Sequence, residues 1–429
     1  MSATAVIVLR PGAFLAVIGA AALAATFAAL ASGRGFVVPI VVVELVAGVV
    51  IGPHGFGVHP DQFLSFFADL GLALLFFFAG YEIDIARISG RPLRLGLAGW
   101  LMSLVLAYAI AGTLAVAGVV LSALYTGSAL TTTAIGTLIP ILSDSGELRT
   151  RFGTFMLAAG AVGEFGPVLI LTLVLSAQGT LHNALILIAF VAVAVAIALL
   201  TARSSIWTMP LFERTLESSS QLAVRWILVL IFALVLLAFH LGLDLLLGGF
   251  AAGIIARHTL GAWEADAFDS KITAIAFGVF VPFFFIISGM QLDLPALFAS
   301  AGSVGKMALF FVLFLVVRGV PALVLYRDVL GRRDRLALGL MSSTQLPLVL
   351  AITALAVSDG HMRASTAAAL VGGAVLSTLV FPVLGLRLRG DVTDDEPLTR
   401  DESESPRQAA AAGEHPVAQG DVPGDGGHG

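Results

Sequence analysis

The amino-acid sequence predicts an all-α polytopic membrane protein of about thirteen transmembrane helices, built as two halves of opposite orientation. Three observations carry this: the composition, the spacing of apolar stretches, and the sorting of basic residues between loops. The 429 residues are 58% hydrophobic and 12% charged. Soluble domains carry about 25% charged residues, so this chain has more apolar surface than a water-soluble core hides. There is no cysteine, which excludes disulfides, thiolate metal sites and thiol catalysis. The net charge of −5 is uneven: ten acids lie from Asp391 onward against Arg400 and Arg407, leaving the rest slightly basic. No large basic or aromatic-basic surface points to nucleic acid as a partner.

Apolar stretches of spanning or near-spanning length fall at about 13–32, 36–52, 64–84, 95–118, 121–142, 152–177, 183–202, 222–240, 242–256, 271–290, 303–326, 336–357 and 365–386. Loop charges test this division independently, because Lys and Arg gather on the cytoplasmic side. With these spans one side receives Arg34, Arg87, Arg91, Arg94, Arg149, Arg151, Arg203, Arg214, Arg225 and Arg257. The same side takes Lys271, Arg327, Arg332, Arg333, Arg335, Arg387 and Arg389, while the other holds Arg10, Lys306 and Arg363. One span missed or invented would scramble the sorting. The N-terminus, residues 1–12, is therefore expected outside the cell and the C-terminus in the cytoplasm, in an inner (plasma) membrane. Ala29-Leu30-Ala31 resembles a signal-peptide cleavage site, but cleavage there would put Arg34 outside against every later loop, so the first helix is read as retained. Residues 389–429 are Asp/Glu/Pro/Gly/Ala-rich and are expected to form a disordered, acidic cytoplasmic tail.

The spans repeat. The third ends in Gly80-Tyr81-Glu82-Ile83-Asp84-Ile85 and the tenth in Gly289-Met290-Gln291-Leu292-Asp293-Leu294. The fifth carries Thr131-Thr132-Thr133 before Pro140, and the twelfth Ser342-Ser343-Thr344 and Gln345 before Pro347. Ala47-Gly48 in the second matches Ala252-Gly253 in the ninth. Each pair is seven spans apart, an odd offset, so residues 36–177 and 242–388 face opposite ways. This is the pattern of an inverted-repeat secondary transporter, whose site lies near the midplane where helices break. Hydroxyl clusters followed by proline mark the fifth and twelfth spans for that role, since proline frees a carbonyl one turn back. The bland alternative is that the hydroxyls bond to their own helix and proline only kinks it.

Charges near span centres cost roughly 2.5–3.5 kcal/mol on insertion scales and need a reason. Glu164 sits midway along the sixth span, preceded by Gly163, among small residues that let helices or water approach. A carboxylate supplies oxygen and charge to a hard cation, and burial favours its neutral form. The group is thus suited to hold either a proton or a cation, two mutually exclusive occupancies. The structural alternative is a protonated Glu hydrogen-bonded between helices. Arg318, central in the eleventh span, keeps its charge and must find an anion or carbonyls. Glu44, central in the second, is a supporting candidate that bonds across to a neighbouring helix. Asp69, Glu82, Asp84, Asp244 and Asp293 lie near span ends, where solvated carboxylates are ordinary.

These residues resemble the monovalent cation:proton antiporters of the Kef/Nap type over about residues 13–388. Glu44 through Pro53 is similar to that family's G-E-I-L-A-G-I-L-L-G-P stretch, and Phe76 through Asp84 to F-x-x-G-L-E-L-D. Thr132-Thr133-Ala134-Ile135 with Gly146-Glu147-Leu148 resembles S-S-T-A-I…x-E-L, and Phe284 through Leu294 resembles P-x-F-F-x-x-x-G-L-x-L-D. The resemblance implies an antiporter fold with two broken crossing helices, in a homodimer whose core moves against a dimerisation domain. It implies that Glu164, preceded by Gly163 in place of the family's Asp, Asn or Gln, takes the essential Asp position, and that Arg318 is the family's basic residue. The expected function is exchange of Na+ or K+ for H+ by alternating access, electroneutral because one carboxylate titrates. Thr132, Thr133, Ser342 and Ser343 are candidate ion ligands, with Pro140, Gln345 and Pro347 shaping the breaks. No cofactor and no enzymatic activity are expected. Kef-type members carry a C-terminal nucleotide-binding domain that the tail is too short to form, so nucleotide gating is not expected. An organic-anion or solute symporter of related shape and a non-transporting membrane sensor are the competing classes. The first would tolerate loss of Glu164; the second is suggested by the missing second acid.

Overall fold

The computed structural model describes residues 11–33, 39–81, 88–174, 180–203, 221–241, 243, 245–259, 270–292, 294–298 and 300–390. Expectations for the N-terminal arm through Arg10, for Arg34, Glu82, Asp84, Asp244 and Asp293, and for the tail from Asp391 fall outside these residues. All regular structure among the described residues is helical: α1 (Pro11–Ser32), α2 (Ile40–Ile51), α3 (Gln62–Tyr81), α4 (Arg91–Val116), α5 (Ala123–Leu130), α6 (Ile135–Asp144), α7 (Arg151–Val174) and α8 (Thr180–Arg203). There follow α9 (Leu222–His240), α10 (Leu245–Thr259), α11 (Ser270–Gln291), α12 (Leu294–Phe298), α13 (Ala301–Leu325), α14 (Arg332–Ser342), α15 (Pro347–Ser358) and α16 (Ala364–Arg389). A π turn, Ala276–Phe280, interrupts α11. Taking α5 with α6 and α14 with α15 as interrupted spans, and α12 as a short connector, gives the thirteen spans read from the apolar stretches.

The helices form two groups that pack mainly within themselves. One holds α1, α2, α3, α9, α10 and α11; the other holds α4 to α7 and α13 to α16. In the first group the inverted repeat is visible atom by atom. Gly48 of α2 lies against the Ile286 carbonyl of α11, and Gly289 of α11 lies against the Leu45 carbonyl of α2. Shifted by seven spans, the same contacts recur: Gly253 of α10 against the Phe77 carbonyl of α3, and Gly80 of α3 against the Phe250 carbonyl of α10. A Cβ at any of the four would overlap the facing backbone, so glycine sets the close approach of both helix pairs.

Local signals fix several ends. Pro347 opens α15 at a position where the missing N–H costs nothing. The Ser300 hydroxyl accepts from the Ser303 amide at 3.1 Å, capping α13. Gly390 follows α16 with φ 72°, a backbone conformation that glycine adopts without a Cβ penalty. Next to it Arg389 holds Glu147 through two bonds, Nε to Oε1 at 2.8 Å and Nη2 to Oε2 at 3.0 Å, and Asp334 at 2.6 Å. This ties the end of α16 to the start of α14 and to the 3-10 turn Glu147–Arg149 that follows α6.

Candidate functional site

The two interrupted spans meet inside the second helix group. α5 stops at Leu130 and α6 starts at Ile135; α14 stops at Ser342 and α15 starts at Pro347. Buried backbone polar groups need partners, and here each break supplies them to the other. The Ala134 amide donates to the Thr344 carbonyl at 2.8 Å, and the Thr133 hydroxyl to the Ser342 carbonyl at 2.6 Å. The Thr132 hydroxyl bonds the Gln345 side-chain oxygen and the Ala129 carbonyl. Each break is also stitched to the helix after it. Thr133 N–H donates to the Gly163 carbonyl of α7 at 3.1 Å. On the other side the Gln345 amide donates to Ser377 Oγ at 3.0 Å, and Thr378 Oγ1 donates to the Gln345 carbonyl at 2.9 Å.

Proline does not make the first break. Pro140 lies within α6, five residues past its start, and the interruption falls upstream at Thr131–Ala134. The physical cause is the cross-pairing of those backbone groups, which offers them better partners than another helical turn. Ser342 and Ser343 stand at the end of α14, just before the second break. Both hydroxyls donate to the Gly339 carbonyl of their own helix, at 3.2 and 2.6 Å, so α14 presents the Ser342 carbonyl to the crossing.

Glu164 is 2% exposed, and its carboxylate faces the backbone amides of Ile135 and Gly136 in the first turn of α6. Those amides have no partner within the helix, and the N-terminal end of the dipole favours negative charge. The other carboxylate oxygen, Oε2, has no hydrogen-bond partner. Thr344 Oγ1 and Gln345 Nε2, at the facing break, are likewise buried without one.

Arg318 reaches in from α13, 4% exposed. Its Nε donates to Thr133 Oγ1 at 2.9 Å, Nη2 to the Ala159 carbonyl at 3.1 Å, and Nη1 to Ser103 Oγ at 3.3 Å. These are oxygens of the break and of neighbouring helices, two hydroxyls and one carbonyl, and not the Glu164 carboxylate. Gly163 makes room for this arrangement: a Cβ there would stand 2.5 Å from Arg318 Nη2 and 2.7 Å from Thr133 Oγ1. The guanidinium thus lies against the backbone next to Glu164, in the space a side chain at 163 would fill. Glu44 is buried on α2 in the other helix group, and no hydrogen bond joins it to this cluster. Ser103, Ser377 and Thr378 were not singled out by the sequence; their only signal was a small hydroxyl in an apolar helix, which usually bonds its own backbone.

The site is therefore a single buried carboxylate with one oxygen free, held at a half-helix N-terminus, with a guanidinium packed against the preceding Gly163. Among the described residues no three His, Cys, Asp or Glu side chains gather in a group that could hold a metal ion.

Residues 20–386 match the family described as "Sodium/hydrogen exchanger, transmembrane". The chain is 26% identical to the Na(+)/H(+)-K(+) antiporter GerN of Bacillus cereus over 365 residues, 80% of this chain and 88% of that protein. It is 23% identical to YjbQ of Bacillus subtilis (strain 168) over 367 residues, 81% of this chain but 58% of that longer protein. In fold it is similar to the sodium proton antiporter MjNhaP1 of Methanocaldococcus jannaschii, with a TM-score of 0.62 at 15% identity, covering 88% of this chain and 99% of that one. The chain belongs to the sodium/hydrogen exchanger family.

Proposed function

We infer that the protein exchanges a monovalent cation, Na+ or K+, for a proton across the membrane by alternating access, with Glu164 carrying one or the other. The observation that supports this most is the Glu164 carboxylate, buried at the crossing with one oxygen unpartnered. Moving an unneutralised charge through the apolar layer is expensive. Glu164 is neutralised by a proton or by a cation, so both loaded forms can rearrange while the empty anion is held back. In the empty form the backbone amides of Ile135 and Gly136, at the N-terminal end of α6, favour the charged carboxylate. Release of the proton as the cation binds is then the coupling step. Thr132 and Thr133 are the proposed oxygen ligands beside Glu164, with α14 contributing the Ser342 carbonyl. The name of GerN couples Na+, H+ and K+, and the same two metal ions are proposed here.

One titrating carboxylate makes the exchange one-for-one and electroneutral. The loop charges orient the chain with its N-terminus outside and C-terminus in the cytoplasm of the plasma membrane. A homodimer, with one helix group fixed and the other moving, belongs to the same reading and is checked by the mass of the protein in detergent.

The test is cation-induced dequenching of a pH-sensitive dye in everted vesicles, comparing Na+, K+ and Li+. Wild-type protein should give a signal with Na+ or K+. Glu164→Gln should lose it by about 100-fold or more while remaining in the membrane, as expected when a group essential to transfer is removed. Normal exchange by that variant would refute the assignment. A cation-gradient-driven current in proteoliposomes would refute electroneutrality alone.

A further inference from the structure

A cavity of about 420 Å³ lies between the two helix groups. Its walls come from α3, α10 and α11 on one side and from α7 and α15 on the other. Ser65, Gln291 and Ser358, which line its mouth, stand at the ends of α3, α11 and α15 on the face proposed to be outside. At its depth lie Val168, one turn along α7 from Glu164, and Leu348, the residue after Pro347 at the second break. The cavity therefore runs from one membrane face toward the buried carboxylate, along the seam where the two groups would slide.

Asp69 is the one ionisable side chain among the lining residues, and it is exposed. It stands one turn past Ser65 on the same face of α3, about 10 Å in from that helix end at 1.5 Å per residue. A carboxylate two turns into a spanning helix is favoured by water around it, for which the cavity has room. A single charge in a recess with low-dielectric walls focuses its field along the recess and concentrates counter-ions there.

We propose that Asp69 is an outer recruitment site for a hydrated monovalent cation, a way station between the extracytoplasmic solution and Glu164. The site holds the cation through water and one carboxylate, so it is weak and non-selective by construction. Selection is left to the tighter oxygen cage at the crossing. The proposal rests on the exchange reading for its purpose, but its electrostatic content does not depend on transport.

The absence of cysteine from the chain makes a direct test available. Ser65→Cys places a single thiol in the mouth of the cavity. Right-side-out vesicles are treated with a cationic and an anionic methanethiosulfonate of similar size. The cationic reagent should react about 10-fold faster, the lower end of such focusing effects. Asp69→Asn should bring the ratio close to one, and Asp69→Glu should keep it. The ratio cancels any effect of residue 69 on the thiol itself. Added Na+ or K+ should slow the cationic reagent. A ratio indifferent to residue 69, or a thiol reached only from the cytoplasmic face, overturns the proposal. In transport, Asp69→Asn should raise KM for cation offered outside by roughly 3- to 10-fold, with the inside KM and the maximal rate unchanged. An equal rise at both faces marks a structural role and also overturns it. If the wild-type chain exchanges nothing, the function above fails, and the labelling ratio still decides whether Asp69 gathers cations.

Discussion

The two crossings are built alike and satisfied differently. Each interrupts a span at a run of hydroxyl residues, pairs with the other break through backbone groups, and leans on the helix that follows. In the first repeat that helix offers the Gly163 carbonyl and the Glu164 carboxylate, with Arg318 pressed against Gly163. In the second it offers the hydroxyls of Ser377 and Thr378, both neutral. Hydroxyls are enough to hold a broken helix in the membrane. The difference teaches that the repeat supplies the architecture twice, while the titratable chemistry is installed once.

Arg318→Ala should separate the two crossings most sharply. It would strip Thr133, Ala159 and Ser103 of a charged donor and leave a void beside Gly163. Hydrogen bonds to charged groups are worth about 1.5–3 kcal/mol each, so a loss of roughly 3 kcal/mol or more is expected. The measurement is thermal unfolding in detergent, read together with dye dequenching. Arg318→Lys keeps the charge without the fork that reaches three oxygens at once. It should recover part of the exchange and less of the stability. If both variants were as stable as wild type, the guanidinium would not be holding the first crossing together.

Gly163→Ala tests the same crossing from the other side. The added methyl meets Arg318 Nη2 at 2.5 Å and Thr133 Oγ1 at 2.7 Å, so the guanidinium must retreat. Overpacking of this kind costs about 1–3 kcal/mol. Exchange should fall alongside, because Arg318 leaves its place against Thr133 and the first break. The combination with Arg318→Ala should be milder than the sum of the two, since the second change empties the space the first one fills. Additive losses would show that the two residues do not share that space.

How much of this was legible beforehand follows from where the signals reside. The thirteen spans and the inverted halves were readable because apolar runs, loop charges and the Gly48/Gly253 and Gly80/Gly289 matches are all local or periodic. Glu164 and Arg318 stood out because a charge in an apolar run is costly wherever the rest of the fold lies. The position of the first break was not readable. Pro140 is the obvious local breaker, yet the chain departs from the helix at Thr131–Ala134, whose partners Gly163 and Thr344 are distant in sequence. The contacts of Ser342 and Ser343 were not readable either: only the finished packing shows that both hydroxyls donate to the Gly339 carbonyl, which leaves their oxygen lone pairs free. Ser377 and Thr378 carry no signal until the Gln345 backbone is brought against them.

The neutral crossing gives the smallest expected effect and the cleanest check on the comparison. Ser377→Ala removes the acceptor for the Gln345 amide, and Thr378→Val removes the closer of two hydroxyl donors to the Gln345 carbonyl at nearly constant volume. Each should cost about 1 kcal/mol, the usual net worth of a hydrogen bond between uncharged groups. Thermal unfolding should register both losses, while the exchange rate and cation KM stay within about twofold, under the ~0.4 kcal/mol that RT ln 2 represents. The reason is that these hydroxyls hold backbone in place and face no titrating group. A large change in cation KM with stability intact would mean that the second crossing contributes ligands of its own. The chemistry would then be shared between the repeats, with Gln345, whose side-chain oxygen already meets Thr132, as the residue that brings it across.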